Sequence, residues 1–217
     1  MMTSMVREGD RLTLTQRVLR LGAESLTAVE LMAVALGATD DGALDTIRHA
    51  VAEAGSIRKA MASGAGFTGA KVARFAAAME LARRAAWEEL TSRPALTNPR
   101  DSAVFLKARM ADRPYEVFAC LYLDNRHRVL AYEEMFRGTL DGASVHPREV
   151  VRAALEHNAA ALIFAHNHPS GVAEPSAADR NITRQLRDAL QLIGVRVLDH
   201  LVIGSGEPTS MAARGLI

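Results

Sequence analysis

The chain has 217 residues, 49% hydrophobic and 24% charged, with a formal net charge of +1. This is the balance of a soluble globular protein with one large or two small domains; it excludes a strongly basic nucleic-acid binder and an acidic tail. The single cysteine, Cys120, excludes an internal disulfide and a four-cysteine zinc site, and its apolar setting, "VFACLYL", reads as a buried thiol. No apolar segment of signal-peptide length opens the sequence and no run of about 18 apolar residues occurs, so a cytoplasmic protein without a membrane span is expected.

In chain order, residues 12–90 read as helical. "LTQRVLRLG" ends in Gly22, "SLTAVELMAVALG" starts at Ser25 as the expected N-cap and ends in Gly37, and "DGALDTIRHAVAEAG" closes on Gly55. "SIRKAMASG" and the longer "GAKVARFAAAMELARRAAWEEL" follow. Alanine and leucine dominate and β-branched residues are scattered, the pattern of a helical bundle. "TSRPALTNPRD" then breaks the helix with Pro94 and Pro99, which places a boundary between a domain of residues 1–92 and a second of residues 95–217.

The second half alternates. "SAVFLKARMADR" is a helix with Asp101 or Ser102 as cap, and "YEVFACLYLD" is a strand apolar on both faces, hence central. "VLAYEEMFRG" returns across the turn "DNRHR" as the second arm of a hairpin. "SVHPREVVRAALEHN" is a helix with Pro147 near N1, "AALIFAHNH" a short buried strand, "PSAADRNITRQLRDALQLIG" a helix capped by Ser176, and "VRVLDHLVIG" a last strand. This order implies an α/β class with a mixed sheet flanked by helices, preceded by a small all-α domain.

The segment "HNHPSGVAEPSAAD" carries the chemistry. In a strand, residues i and i+2 share a face about 6.6 Å apart, so His166 and His168 project together while Asn167 points away. Pro169 stops the strand, Gly171 lets the loop turn back, and Ser176 opens a helix whose first turn holds Asp179. Two imidazoles and one carboxylate leave a fourth position for water, the pattern of a catalytic zinc site. The same residues have a second reading: Ser176 and Asp179 as a plain helix-start signature, with the histidines as hydrogen-bonded surface groups. The letters H-N-H are adjacent here, unlike the dispersed residues of HNH nucleases, and a zinc nucleoside deaminase would need a P-C-x-x-C.

His-x-His-Pro, a serine eight residues after the second histidine and an aspartate three further on resemble the JAMM (MPN+) metalloprotease motif. The longer run "GTLDGASVHPREVVRAALEHNAAALIFAHNHPSGVAEPSAADRNIT", with "VLDHLVIG" after it, is similar to the RadC family of bacterial proteins. The resemblance implies an MPN-type fold, Zn2+ held by His166, His168 and Asp179, and hydrolysis of a peptide or isopeptide bond in a protein or peptide substrate. It also implies an upstream glutamate as general base, where the domain's first helix meets its first strand. Glu116, Glu133, Glu134 and Glu149 compete, and "ADRPYEVFACLYL" favours Glu116; Glu149 sits in a first helical turn, where the dipole accounts for it. By the same resemblance Ser176 donates a hydrogen bond to the developing oxyanion. His146 and His200 are spare histidines expected to be structural, Asp199 is a candidate acceptor for a ligand histidine's other N–H, and His49, His127 and His157 read as surface positions.

"RVLRLGAESLTAVELMAVAL" and "GAGFTGAKVARFAAAMELARR" resemble the N-terminal domain of RadC proteins, the second piece resembling a helix-hairpin-helix element that sets backbone N–H groups against a DNA phosphate. The hairpin triplet is Gly66-Phe67-Thr68, with threonine in place of the second glycine, and residues 1–94 carry 12 Lys and Arg against 11 Asp and Glu. At most weak, non-specific DNA binding is expected. The alternative to a hydrolase is therefore a DNA-repair or recombination accessory protein in which the metal is mainly structural.

Overall fold

The computed structural model describes residues 12–64, 66–92, 95–96, 98–111, 113–138 and 145–217. The N-terminal stretch, Ala65 in the hairpin segment, Pro94 and its neighbour in the proline-rich segment, and residues 139–144 of the family-like run lie outside them. The chain divides into two compact units, residues 1–81 and 82–217. Among the described residues no helix is long and apolar enough to cross a membrane.

The first unit is helical: α1 (Leu14–Leu21), α2 (Ala28–Leu36), α3 (Asp41–Ala54), α4 (Ile57–Ser63) and the start of α5 (Gly69–Ser92). Each start has a local cause. Thr13 and Thr27 form reciprocal capping boxes with Gln16 and Glu30, while Asp40 and Ser56 cap the next two helices. Thr27, not Ser25, caps α2: Ser25 lies in a single 3-10 turn and donates its hydroxyl proton to the Gly22 carbonyl at 2.7 Å. The sequence signal was Glu30 three residues after Thr27, where a capping box needs it. Met32, Ala33, Leu36, Ile47 and Met61 form the core of this unit, with Phe67 and Phe75 packed against it.

In the second unit α6 (Pro99–Met110) precedes β1 (Val117–Leu123) and β2 (Val129–Arg137). The cap of α6 is Asn98, in extended conformation with Pro99 at N1; Ser102 lies buried inside the helix and donates to the Pro99 carbonyl, and Asp101 is in the first turn. Then come α7 (Pro147–Glu156), β3 (Ala161–Asn167), α8 (Ala177–Gln191), β4 (Arg196–Ile203) and a two-residue β5 (Thr209–Ser210) that the sequence reading did not include. The strands stand in the order β2-β1-β3-β4-β5. Among the described residues only the β3–β4 pair is parallel, with α8 as its crossover.

Side-chain alternation sorts the core into two layers. Phe118, Cys120, Tyr122, Leu162 and Phe164 face α7 and α8, meeting Val150, Ala154, Ile182 and Leu186. Val117, Ala119, Leu121, Ile163 and Ala165 face the other way, onto Phe105, Leu106 and Met110 of α6 and Leu90 of α5. The C-terminal part of α5, with Trp87 and Leu90, thus belongs to the core of the second unit. Cys120 is wholly buried, and burial pushes its thiol well above the ordinary range.

Candidate metal centre

His166 is the penultimate residue of β3 and points into the layer shared with α8; His168 follows the strand end. The register Phe118↔His166 and Phe164↔His200 brings His200 of β4 beside His166. Past His168 the chain turns through Gly171, where φ is +86°. A β-carbon there would meet the Ser205 hydroxyl at 2.4 Å, so the loop packs against the turn after β4 because residue 171 has no side chain. The Ser205 N–H to Gly171 carbonyl bond at 2.9 Å and the His168 N–H to Ile203 carbonyl bond at 2.8 Å hold it there.

The loop ends at Ser176, which caps α8. Its hydroxyl accepts from the Asp179 N–H at 3.1 Å, and its own N–H donates to Asp179 Oδ2 at 2.7 Å. This reciprocal box turns the other carboxylate oxygen toward His166: Oδ1 lies 3.2 Å from His166 Nε2. His168 Nε2 is 3.6 Å from Oδ2 and 3.0 Å from His166 Nε2. Asp179 is 1% exposed. Burial pushes its carboxyl up, but its surroundings, the Ser176 hydroxyl and N–H among them, outweigh this and hold it well below the usual carboxylate range.

These three side chains each offer a ligand atom within 4.8 Å of the others, a group that could hold a metal ion. Donors at about 2.0–2.1 Å around a tetrahedral ion stand about 3.3 Å apart, close to the 3.0 Å between the two histidine Nε2 atoms and the 3.2 Å from His166 Nε2 to Asp179 Oδ1. The tautomer of His168 fits as well. Its Nδ1 faces the Val172 carbonyl at 2.8 Å. A carbonyl can only accept, so Nδ1 carries the proton and the Nε2 lone pair turns toward Asp179 and His166.

Ser176 therefore lies in the same constellation, bound to Asp179 by two hydrogen bonds. Glu116 stands half-buried just before β1. The nearest strand pair is Phe118↔His166, which sets the segment before β1 beside the end of β3. Of the other acids, Glu133 lies against His157, Glu134 against Arg113 and Arg137, and Glu149 against Arg148 and Arg152.

Asp199 does not serve a ligand histidine. Its carboxylate accepts from the His200 N–H, the Ser210 hydroxyl and the Ala212 N–H, fastening the segment after β4, because its side chain leaves the strand on the face opposite His200. The neighbour of His166 is His200 itself, with Nε2 2.8 Å from His166 Nδ1. His146 is exposed and borders Phe136, and His49 is exposed. His127 and His157 are half-buried, the first beside Arg196 and the second against Glu133 and the Tyr122 ring.

Asn167 points away from the histidines, and that direction is its use. Buried between the histidines in sequence, it accepts the Val117 N–H at 2.8 Å and donates to the Tyr115 carbonyl at 3.0 Å, tying the segment that carries Glu116 to the histidine strand. In the helical unit, Thr68 stands where a second hairpin glycine would be; its hydroxyl accepts from the Lys71 N–H at 3.4 Å at the start of α5.

A mixed five-stranded sheet flanked by helices, with a histidine pair at a strand end and an aspartate in a capped helical turn, defines a JAB/MPN-type domain with a candidate metal site. Residues 96–216 match the RadC-like JAB domain family. A UPF0758 protein of Thioalkalivibrio sulfidiphilus is 53% identical over 211 residues, covering 93% of this chain and 94% of the relative. One from Marinobacter nauticus is 52% identical with the same coverage, and one from Azotobacter vinelandii is 48% identical, covering 92% and 93%. The chain belongs to the RadC family.

Proposed function

We propose that this protein is a zinc-dependent metallopeptidase that hydrolyses a peptide or isopeptide bond. The observation that supports it most is the convergence of His166, His168 and Asp179 within 4.8 Å at the end of β3. Zinc held by these residues supplies Lewis acidity toward the scissile carbonyl and lowers the pKa of water. The remaining work falls to the chain. Glu116, on the segment just before β1, takes the proton of the attacking water and delivers it to the leaving amine. The Ser176 hydroxyl accepts the Asp179 N–H, which leaves its own proton to donate to the oxyanion. His168, 16% exposed beside buried His166, marks the side from which substrate enters.

Two imidazoles and a carboxylate also suit iron, manganese or cobalt, so the test begins with elemental analysis of the purified protein and continues with cleavage of peptide and isopeptide libraries. Asp179→Ala is expected to lose the metal. Glu116→Gln is expected to keep it while hydrolysis drops about 10²–10⁴-fold, and Ser176→Ala to keep it with a loss of about 10²-fold. Equal metal loss in Glu116→Gln and Asp179→Ala would make Glu116 a ligand. Full metal content in Asp179→Ala would place the ion elsewhere.

A further inference from the structure

We infer that His200 and Thr183 are positioning residues that set the ligand tautomer of His166, through a hydrogen-bond chain that closes on the peptide carbonyl of Asp179. The inference rests on the metal reading above.

The chain can be followed from its one unambiguous end. The Asp179 carbonyl can only accept, and the Thr183 hydroxyl lies 2.5 Å from it, so the threonine proton points there in an i to i−4 bond along α8. The Met211 sulfur, 3.8 Å from the same hydroxyl, is too distant and too weak an acceptor to compete. With its only proton committed, Thr183 Oγ1 faces His200 Nδ1 at 2.6 Å as an acceptor, so Nδ1 carries a proton. His200 is completely buried, with the Phe118 and Phe164 rings edge-on at 5.5 and 5.8 Å, so its ring nitrogens meet only Thr183 and His166 along this hydrogen-bond chain. Its Nε2 is then a bare lone pair, and it accepts from His166 Nδ1 at 2.8 Å. His166 is left bare at Nε2, the atom facing His168 and Asp179.

The Val172 carbonyl imposes the same tautomer on His168. Two imidazole lone pairs and a carboxylate oxygen thus converge with no proton between them, an arrangement that favours a cation. A reversed chain would set a lone pair against the Asp179 carbonyl and a proton on His166 Nε2, where the metal would bind. The helix that presents the Asp179 carboxylate also terminates the chain that prepares His166, so α8 orders two ligands at once. The Asp199 carboxylate holds the His200 backbone N–H at 2.7 Å, and the His200 carbonyl accepts from Met211, which fixes the residue in the sheet.

The test uses the full chain. Thr183→Val keeps the shape and removes the hydroxyl; Thr183→Ser restores it. Zinc affinity is measured by competition with a chromophoric chelator, and ligand geometry by the absorption bands of Co2+ substituted for zinc. Thr183→Val is expected to weaken zinc binding about 10- to 100-fold and to shift the Co2+ bands, and Thr183→Ser to return both to wild type. Wild-type affinity and spectrum in Thr183→Val would overturn the inference. A second measurement needs no variant: nitrogen-15 NMR of histidine-labelled, metal-free wild-type protein, with protons expected on Nδ1 of both His166 and His200. A His200 protonated at Nε2 would overturn the inference whatever zinc does. The expected tautomers in a wild-type protein that binds no metal would keep the relay and remove the metal reading.

Discussion

Asn167→Ala separates the scaffold of the Glu116 segment from the metal ligands. The wild-type side chain makes two good bonds, 2.8 Å from the Val117 N–H and 3.0 Å to the Tyr115 carbonyl; a third, 3.4 Å to the Arg113 carbonyl, is too long to count for much. Val117 is fully buried, so its N–H would lose its partner without gaining water. An unpaired buried donor costs about 1–3 kcal/mol, and the lost Tyr115 bond adds about 1 kcal/mol, for a total of about 2–4 kcal/mol. Asn167→Asp should be no milder despite its shape, because a buried carboxylate would face the carbonyls the amide served. The assay is urea unfolding followed by Trp87 fluorescence. Trp87 is the single tryptophan, and its ring lies 5.0 Å from that of Phe105 in the core of the same unit. Metal content should stay near wild type, since Asn167 leaves β3 on the face opposite His166, while hydrolysis should fall because the Glu116 segment loses its tether. A stability loss under about 0.5 kcal/mol, or metal loss equal to that of Asp179→Ala, would refute this account.

Three further outcomes are expected. A fragment of residues 82–217 should fold and bind zinc, whereas one starting at residue 95 forfeits buried Leu90 and packed Trp87 and should be less stable by at least about 2 kcal/mol; equal urea resistance would count against it. Cys120, its thiol pushed up by burial, should not react with a thiol reagent at pH 8 until the chain is unfolded, and prompt labelling of native protein would contradict this. Duplex DNA should bind no tighter than a Kd of about 10⁻⁴–10⁻⁶ M at physiological salt and weaken as salt rises; a salt-resistant, sequence-selective complex would show that the helical unit reads DNA.

The fold was legible where one local signal decides. Glycines after apolar runs marked the ends of α1, α2 and α3, and the two-faced apolarity of "VFACLYL" marked a central strand. Caps were misplaced where two hydroxyl or acid residues stand close together, because backbone conformation chooses between them: Thr27 and Asn98 are extended, while Ser25 lies in a turn and Ser102 inside a helix. The histidine pair and Asp179 were visible because their spacing is local. The partners of His166 and Asn167 were not. His200 meets His166 across 34 residues, and Asn167 meets Val117 across 50, contacts created by strand register that no short motif encodes.

The two readings of Ser176-x-x-Asp179, as a helix cap and as half of a metal site, do not exclude one another. One carboxylate can serve both. Oδ2 accepts the Ser176 N–H at 2.7 Å, closing the capping box, and that bond fixes the rotation that turns Oδ1 toward His166 at 3.2 Å. A capping residue at the third helical position has its side chain folded back toward the helix start, which here is where the loop from β3 arrives. The dipole of α8 favours a negative charge at that end, in keeping with a carboxyl held well below its usual range despite burial. Cap, dipole and ligand geometry therefore reinforce one another, and lengthening the side chain by one methylene, Asp179→Glu, should disturb all three together.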